Sequence, residues 1–266
     1  MSKTALIAGG GSLPGLWLER AREAGRRVFV YKIARENTLP LNKAEKIRSV
    51  SPGKLGELIA RLENDGIEEI IMLGKVHKDR LYDNMELDKQ MKTLLAELPD
   101  HQDETILKGI AAALERAGFN ILPQDLYLED STLESGTLYM PSHPPRNLQN
   151  DFQDGLGLAK KMAELEIGQT VLLKNGTVLA VEAVEGTDKA ISRAGELAGP
   201  GVVMAKASRP EQDDRLDIPA VGPQTAARLA AIEAAGLVIE AGGVLVLEQE
   251  KMLEKVRAAE IALQAI

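Results

Sequence analysis

Apolar and polar positions along this chain alternate between two periods. Thr4–Ala8 (TALIA) is a short apolar run that stops at Gly9-Gly10-Gly11, the pattern of a buried strand bounded by a turn. After Ser12-Leu13-Pro14, the stretch Gly15–Ala24 is amphipathic at helical spacing and closes at Gly25. Arg27–Ile33 (RVFVYKI) predicts a second strand. Pro52–Asn64 places Leu55, Leu58, Ile59 and Leu62 on one helical face, with Gly66 as its stop. Glu69–Gly74 (EIIMLG) predicts a third buried strand. Asp103–Ala117 gathers Ile106, Leu107, Ile110 and Leu114 on one side of a helix ended by Gly118, and Asn120–Leu122 restarts a strand. Strand–helix–strand alternation of this kind predicts a parallel sheet covered by helices.

The pattern changes between about Leu122 and Asn150, where Pro123, Pro141, Pro144 and Pro145 appear and aliphatic repeats thin out. Beyond it, Asp151–Ile167 reads as a helix. Thr170–Lys174, Val178–Val184, Gly201–Ala205 and Val244–Glu248 read as strands. Gly222–Ala235 and Met252–Ile266 read as two further helices. The expected fold class is α/β in two domains, suited to a chain of 266 residues. Residues 1–130 form a Rossmann-like parallel sheet with helices. Residues 131–150 form a linker, and residues 151–266 form a less regular α/β domain that carries an acidic metal and phosphate site.

Composition narrows the function. Hydrophobic residues make up 44% and charged residues 27%, so a packed globular protein is expected. A net charge of −8 argues against a nucleic-acid backbone as the main ligand, because that needs clustered Lys and Arg in excess. The absence of Cys removes disulfides, thiol nucleophiles and Cys–zinc sites, and three scattered His (His77, His101, His143) make a His-rich metal site a poor expectation. The N-terminus does not read as a signal peptide, and no stretch approaches 18 apolar residues. A cytoplasmic protein is expected. Peripheral contact with the inner face of the membrane is compatible with this, because an apolar groove need not show in composition, and so is a homo-oligomer.

The chemistry concentrates between Val181 and Gly222. Glu182, Glu185, Asp188, Glu211, Asp213, Asp214 and Asp217 lie there with Arg193, Lys206, Arg209 and Arg215. Carboxylate oxygens suit a hard cation, and Arg and Lys suit phosphate oxygens. Asp213, Arg215 and Asp217 alternate, so an extended backbone would point all three one way and Asp214 the other. That set either binds metal and phosphate together or neutralises itself as a surface triad. Glu182 and Glu185 face one site only if the strand breaks near Gly186. In the first third, Gly9-Gly10-Gly11-Ser12 sits where a strand turns into a helix, a place where backbone N–H groups can approach an anion. It is not a dinucleotide fingerprint, since Pro14 occupies the third glycine position. Lys75, just past the third strand, is a phosphate contact or a solvated lysine. His77 is a general base or a structural residue, and His143 carries little weight.

Several of these runs together resemble a family. Ile167–Val171, Val178–Asp188 with its Glu185-Gly186-Thr187-Asp188 motif, and Arg193-Ala194-Gly195 are similar to the LpxI-type UDP-2,3-diacylglucosamine diphosphatases of lipid A biosynthesis. So are Lys206–Pro219 with Gln212-Asp213, Arg215 and Asp217-Ile218-Pro219, then Gly222-Pro223-Gln224-Thr225, Ile7–Pro14 and Leu73–Val76. Departures include Glu129–Ser135 in place of the family's EDxTGEK, Glu166 for an Asp, Arg209 for a Lys and Leu216 for a Phe.

The resemblance implies two α/β domains closing on substrate, and Mg²⁺-dependent cleavage of the UDP diphosphate to UMP and 2,3-diacylglucosamine 1-phosphate. Mn²⁺ is an alternative metal, and the β-phosphorus is the expected point of attack. On this reading Asp213 and Asp217 are the metal-linked carboxylates. Arg215, Lys206 and Arg193 clamp phosphate. Gly9, Gly10, Gly11, Ser12, Lys75, Thr187, Asp188 and Gln212 contact substrate. The other readings are a non-catalytic nucleotide or nucleotide-sugar binder, and a hydrolase of another UDP-sugar lipid.

Overall fold

The structure is a computed structural model that describes residues 2–33, 44–74, 86–210 and 213–266. The chain divides into two compact units. Unit 1 comprises Met1–Leu128 and Asp213–Asp217; unit 2 comprises Glu129–Gln212 and Ile218–Ile266.

Unit 1 is built on a five-stranded parallel sheet. Its strands are β1 (Lys3–Ala8), β2 (Arg27–Lys32), β3 (Lys46–Ser49), β4 (Glu69–Leu73) and β5 (Asn120–Ile121), in the order β3-β2-β1-β4-β5. The apolar runs of β1, β2 and β4 are buried, as strands covered on both faces must be. The helices are α1 (Leu13–Glu23), α2 (Leu55–Asp65), α3 (Lys89–Glu97) and α4 (Asp103–Arg116). Trp17 and Leu18 of α1, Leu62 of α2 and Leu114 of α4 are fully buried. Helix α2 stops where Gly66 enters the left-handed region, as its sequence predicts. Strand β3 carries no apolar run because it is a mostly exposed edge, so its pattern gives no strand signal.

The chain order reverses at β1, which has β2 on one side and β4 on the other. That is the switch point where ligands bind in open parallel sheets, beyond the strand carboxyl ends. Register brings Ala8 level with Leu73 of β4, and Gly9 N–H donates to the Leu73 carbonyl at 2.8 Å. Gly74 follows with φ +88°. A Cβ there would lie 2.5 Å from the Gly10 carbonyl oxygen and 2.8 Å from Pro14 Cγ, so only glycine fits this crossing.

Unit 2 has a six-stranded mixed sheet. Its strands are β6 (Gly136–Tyr139), β7 (Thr170–Lys174), β8 (Thr177–Val181), β9 (Val203–Lys206), β11 (Gly236–Ile239) and β13 (Ala262–Ala265), in the order β6-β13-β11-β9-β7-β8. A separate parallel pair joins β10 (Ala220–Val221) to β12 (Leu245–Val246). The helices are α5 (Leu148–Glu164), α6 (Thr187–Ala198), α7 (Pro223–Ala231) and α8 (Gln249–Ala258). The β7–β8 hairpin turns at Asn175 and Gly176, both at positive φ, and the buried Asp151 carboxylate accepts both of their N–H groups at 2.8 and 2.7 Å. Residues 131–150 include β6 and the start of α5.

Two helix expectations are corrected here. The helix expected over Gly222–Ala235 ends at Ala231, and Gly236–Ile239 then runs as the buried strand β11. The helix expected over Met252–Ile266 ends at Ala258, and Ala262–Ala265 is strand β13 between β6 and β11. Alanine favours helix locally, but pairing and burial inside a sheet decide the outcome. Among the described residues, no helix is long and apolar enough to cross a membrane.

One buried charge organises the edge of unit 1. Asp65, at the end of α2 and only 6% exposed in its side chain, accepts from Lys46 Nζ at 2.7 Å and Arg48 Nε and Nη2 at 2.6 and 2.8 Å. The Tyr31 hydroxyl donates to it at 2.7 Å. Arg48, then Lys46 and Tyr31, hold the Asp65 carboxyl far below the usual carboxylate range against the opposing effect of burial. Burial, reinforced by Asp65, pushes the Tyr31 phenol up. A depressed folded-state pKa gives stabilisation that is present above the ordinary value near 3.8 and lost as pH falls toward the folded value. Asp65→Ala should therefore cost about 2 kcal/mol at neutral pH, below the range for a fully buried pair because Lys46 and Arg48 are partly exposed. Urea unfolding from pH 7 to pH 2 should show the gap between variant and wild type closing below about pH 4; a constant gap would contradict this account. Gly74→Ala, which meets both positive φ and a backbone overlap, should lower stability by about 2 kcal/mol in the same measurement. Gly25→Ala, equally left-handed but facing open space, should cost less.

Candidate functional site

In unit 1 the chain leaves β1 through Gly9, Gly10, Gly11 and Ser12 and enters α1 at once. Gly11 takes φ +95°, and the Ser12 carbonyl accepts from the N–H groups of Gly15 and Leu16 at 3.1 Å each. Among the described residues no side chain caps α1, and its first turn contains no acidic residue to offset the positive end of the helix. Gly11 and Ser12 are exposed. Lys75, His77 and Gln212 lie outside the described residues.

Asp213–Asp217 does not run extended, which corrects the expected alternating face. Leu216 N–H donates to the Asp213 carbonyl at 2.7 Å, closing a turn, and Asp217 takes φ +54°. The cause is Leu216, which is 4% exposed and joins the apolar cluster of Ile7, Met72, Leu114 and Ile121. Gln124 secures the turn from beneath. Its N–H donates to the Asp214 carbonyl at 2.7 Å while its Nε2 donates to the Met72 carbonyl at 2.5 Å.

The turn brings Asp213 and Arg215 together. Asp213 Oδ1 accepts from Arg215 N at 3.0 Å and Nε at 2.9 Å, and Oδ2 accepts from Nη2 at 2.8 Å. Arg215 Nη1 reaches Glu115 Oε1 of α4 at 2.5 Å. Arg215 holds the Asp213 carboxyl below its usual range, and Asp213 raises the guanidinium in return. Asp213 is thus ionised and fixed in orientation.

Among the described residues, no group of three or more His, Asp or Glu side chains converges as a cation cage. Mg²⁺ does not need one: it commonly binds through one or two carboxylates, with waters and substrate phosphates completing the shell. Asp213 Oδ2 accepts one hydrogen bond and keeps acceptor capacity for such a cation, so the donor set fits that mode.

Unit 2 holds a second polar constellation. Strand β7 pairs antiparallel with β9 so that Thr170 stands opposite Lys206. Lys206 is 6% exposed. Its Nζ donates to Thr170 Oγ1 at 3.1 Å and Thr187 Oγ1 at 3.3 Å, and lies 3.7 Å from Glu182 Oε2. The Thr187 hydroxyl donates to Glu182 Oε1 at 2.6 Å. Gly186, at φ +81°, turns the chain so that Thr187 opens α6.

The two glutamates do not share a site. Glu182 turns to Lys206, whereas Glu185 pairs with Arg193, whose Nη2 also donates to the Val181 carbonyl at 3.0 Å. Asp188 lies 3.8 Å from Arg228, both exposed. Beside this group, Glu240 Oε2 accepts from Ser208 N at 2.9 Å and Oγ at 2.6 Å, fixing the chain just after β9. Thr170 stands out by no chemistry of its own in the sequence, and the sequence groups Glu182 with Glu185 rather than with Lys206. Both depend on strand register.

Known protein families divide the chain at nearly the same place, although Asp213–Asp217 of unit 1 falls inside the C-terminal match. Residues 3–131 match the LpxI N-terminal domain, and residues 135–264 match the LpxI C-terminal domain. UDP-2,3-diacylglucosamine pyrophosphatase LpxI of Caulobacter vibrioides is 31% identical over 265 residues, covering 95% of this chain and 93% of that protein. Among solved structures, the biotin carboxylase domain of a thermophilic 2-oxoglutarate carboxylase bound to ADP is 12% identical with a TM-score of 0.29, over 74% of this chain and 42% of that one. Both family domains match in order, and a relative above 30% identity spans nearly the whole chain: the protein belongs to the LpxI family.

Proposed function

We propose that this protein hydrolyses UDP-2,3-diacylglucosamine to UMP and 2,3-diacylglucosamine 1-phosphate in lipid A biosynthesis. The observation that carries this reading is the full-length relationship to a protein of that activity. The Asp213–Arg215 turn and the buried Lys206 support it chemically. Water adds to the β-phosphorus, the bond from that phosphorus to the bridging oxygen breaks, and UMP departs with that oxygen.

Roles follow from each residue's surroundings. Asp213, oriented by Arg215, and Asp217 would hold Mg²⁺, or Mn²⁺ in its place. Such a cation supplies charge neutralisation at the phosphates. Arg215 keeps three donors engaged with Asp213 and Glu115, so it orients the carboxylate first. Lys206 meets developing charge on phosphate oxygen, the kind of preorganised contact worth a few kcal/mol in a transition state. Gly9–Ser12, Thr187, Asp188 and Arg193 are read as substrate contacts, with Lys75 and Gln212. The strand order of unit 1 supports a Rossmann-like reading with the nucleotide at its switch point. A lipid substrate supports an enzyme working at the inner face of the cytoplasmic membrane.

UMP release from UDP-2,3-diacylglucosamine tests the reaction directly, with acyl-free UDP-sugars as controls. Exhaustive chelation should abolish release and Mg²⁺ should restore it; full activity after chelation would refute the metal role. Asp213→Ala should lower turnover by about a hundredfold or more. It should cost under about 1 kcal/mol of stability, because its partners are surface groups. Asp214→Ala should be mild, since it is the Asp214 main-chain carbonyl that anchors the turn. Equal turnover by these two variants would contradict the assignment.

A further inference from the structure

The buried ammonium of Lys206 has an arrangement that simple ion pairing does not explain. An ammonium has three donors. Among the described residues, two go to the hydroxyls of Thr170 and Thr187. The carboxylate of Glu182 stands at 3.7 Å, near enough to supply counter-charge and too far to take a hydrogen bond. Instead its other oxygen accepts from Thr187 at 2.6 Å, which turns the Thr187 oxygen lone pairs toward Nζ. A buried charge without a counter-charge is costly. Glu182 removes that cost, and one N–H of Lys206 has no hydrogen-bond partner among the described residues.

The backbone around Glu182 is fixed to match. Glu182 N–H donates to the Thr170 carbonyl at 2.9 Å, and a Cβ on Gly168 would overlap the Glu182 carbonyl oxygen. The glutamate is therefore registered to the same strand that presents Thr170 to Lys206.

We infer that Glu182 is a positioning residue: through Thr187 and its own charge, it aims the third N–H of Lys206 at a phosphate-class oxyanion. This rests on the hydrolase reading for its place in the reaction, but the anion contact stands by itself. On this inference Glu182 serves the anion through Lys206, so its removal should have little consequence for anion binding once Lys206 is gone. A residue that merely supports the fold would instead add its own penalty.

The test is a double-mutant cycle on the full chain with Glu182→Gln, Lys206→Met and the pair. One readout is inorganic diphosphate binding by calorimetry; the other is kcat and KM for UMP release. Each single variant should weaken diphosphate binding and lower kcat about tenfold or more, with KM for the lipid substrate changed less than about threefold. Adding Glu182→Gln to Lys206→Met should change either quantity less than twofold, and Glu182→Asp should recover part of both. Multiplying penalties, wild-type binding in Lys206→Met, or no diphosphate binding by the wild type would each overturn the inference. If the wild type binds diphosphate but releases no UMP, the hydrolase reading fails, and the binding cycle still decides the role of Glu182. Melting temperature is followed throughout. Should Glu182→Gln fail to fold, Glu182→Asp replaces it in the cycle, and the same lack of additivity is required.

Discussion

The acidic turn depends on one apolar side chain. Leu216 sits among Ile7, Met72, Leu114 and Ile121, and burying a leucine is worth about 2 kcal/mol. That is more than the polar contacts of an exposed turn usually supply. With Leu216 inside, the residues on either side must turn outward, and the hydrogen bond from Leu216 to the Asp213 carbonyl closes the loop. Gln124 then ties the turn to the end of β4 through Met72. The pairing of Asp213 with Arg215 follows from this geometry, as does the lowered pKa of the carboxyl. A five-residue segment distant in sequence becomes an integral part of unit 1 because its fourth residue, Leu216, is hydrophobic.

Unit 2 solves a related problem in the opposite way. There the fixed element is a charge, Lys206, at the end of a fully buried strand. Burial of an ammonium is tolerated only where oxygens surround it. Sheet register supplies Thr170, a glycine turn supplies Thr187 at the start of α6, and the chain just beyond β8 supplies Glu182. Each comes from a different element, so the constellation exists only when the sheet and helix are assembled.

This difference explains what the sequence discloses. Strands β1, β2, β4 and β7 are legible because burial on both faces demands unbroken apolar runs. Strand β3 is hidden by its exposure, β13 by alanines that also suit the preceding helix, and β11 by being an apolar run of only 4 residues. Asp213 and Arg215 are conspicuous as residue types, yet their geometry cannot be read locally. Whether the run extends or turns is set by a core into which Leu216 fits. Glu182 and Lys206 are 24 positions apart and meet through register, which hydrophobic periodicity does not encode.

An acidic chain that handles a diphosphate must keep its own charge from repelling the substrate. The two constellations have different electrostatic characters. Arg215 stands between two carboxylates, Asp213 and Glu115, so that group carries an excess of negative charge and suits a cation before it suits a phosphate. Lys206 and Glu182 balance each other, but the ammonium keeps a donor and the carboxylate is already engaged by a hydroxyl. That group is neutral overall and still offers an oriented N–H, which suits an oxyanion without requiring a basic surface. Net charge of the chain therefore says little about either ligand. What decides is how many donors and lone pairs each buried or half-buried group has left after its neighbours are satisfied.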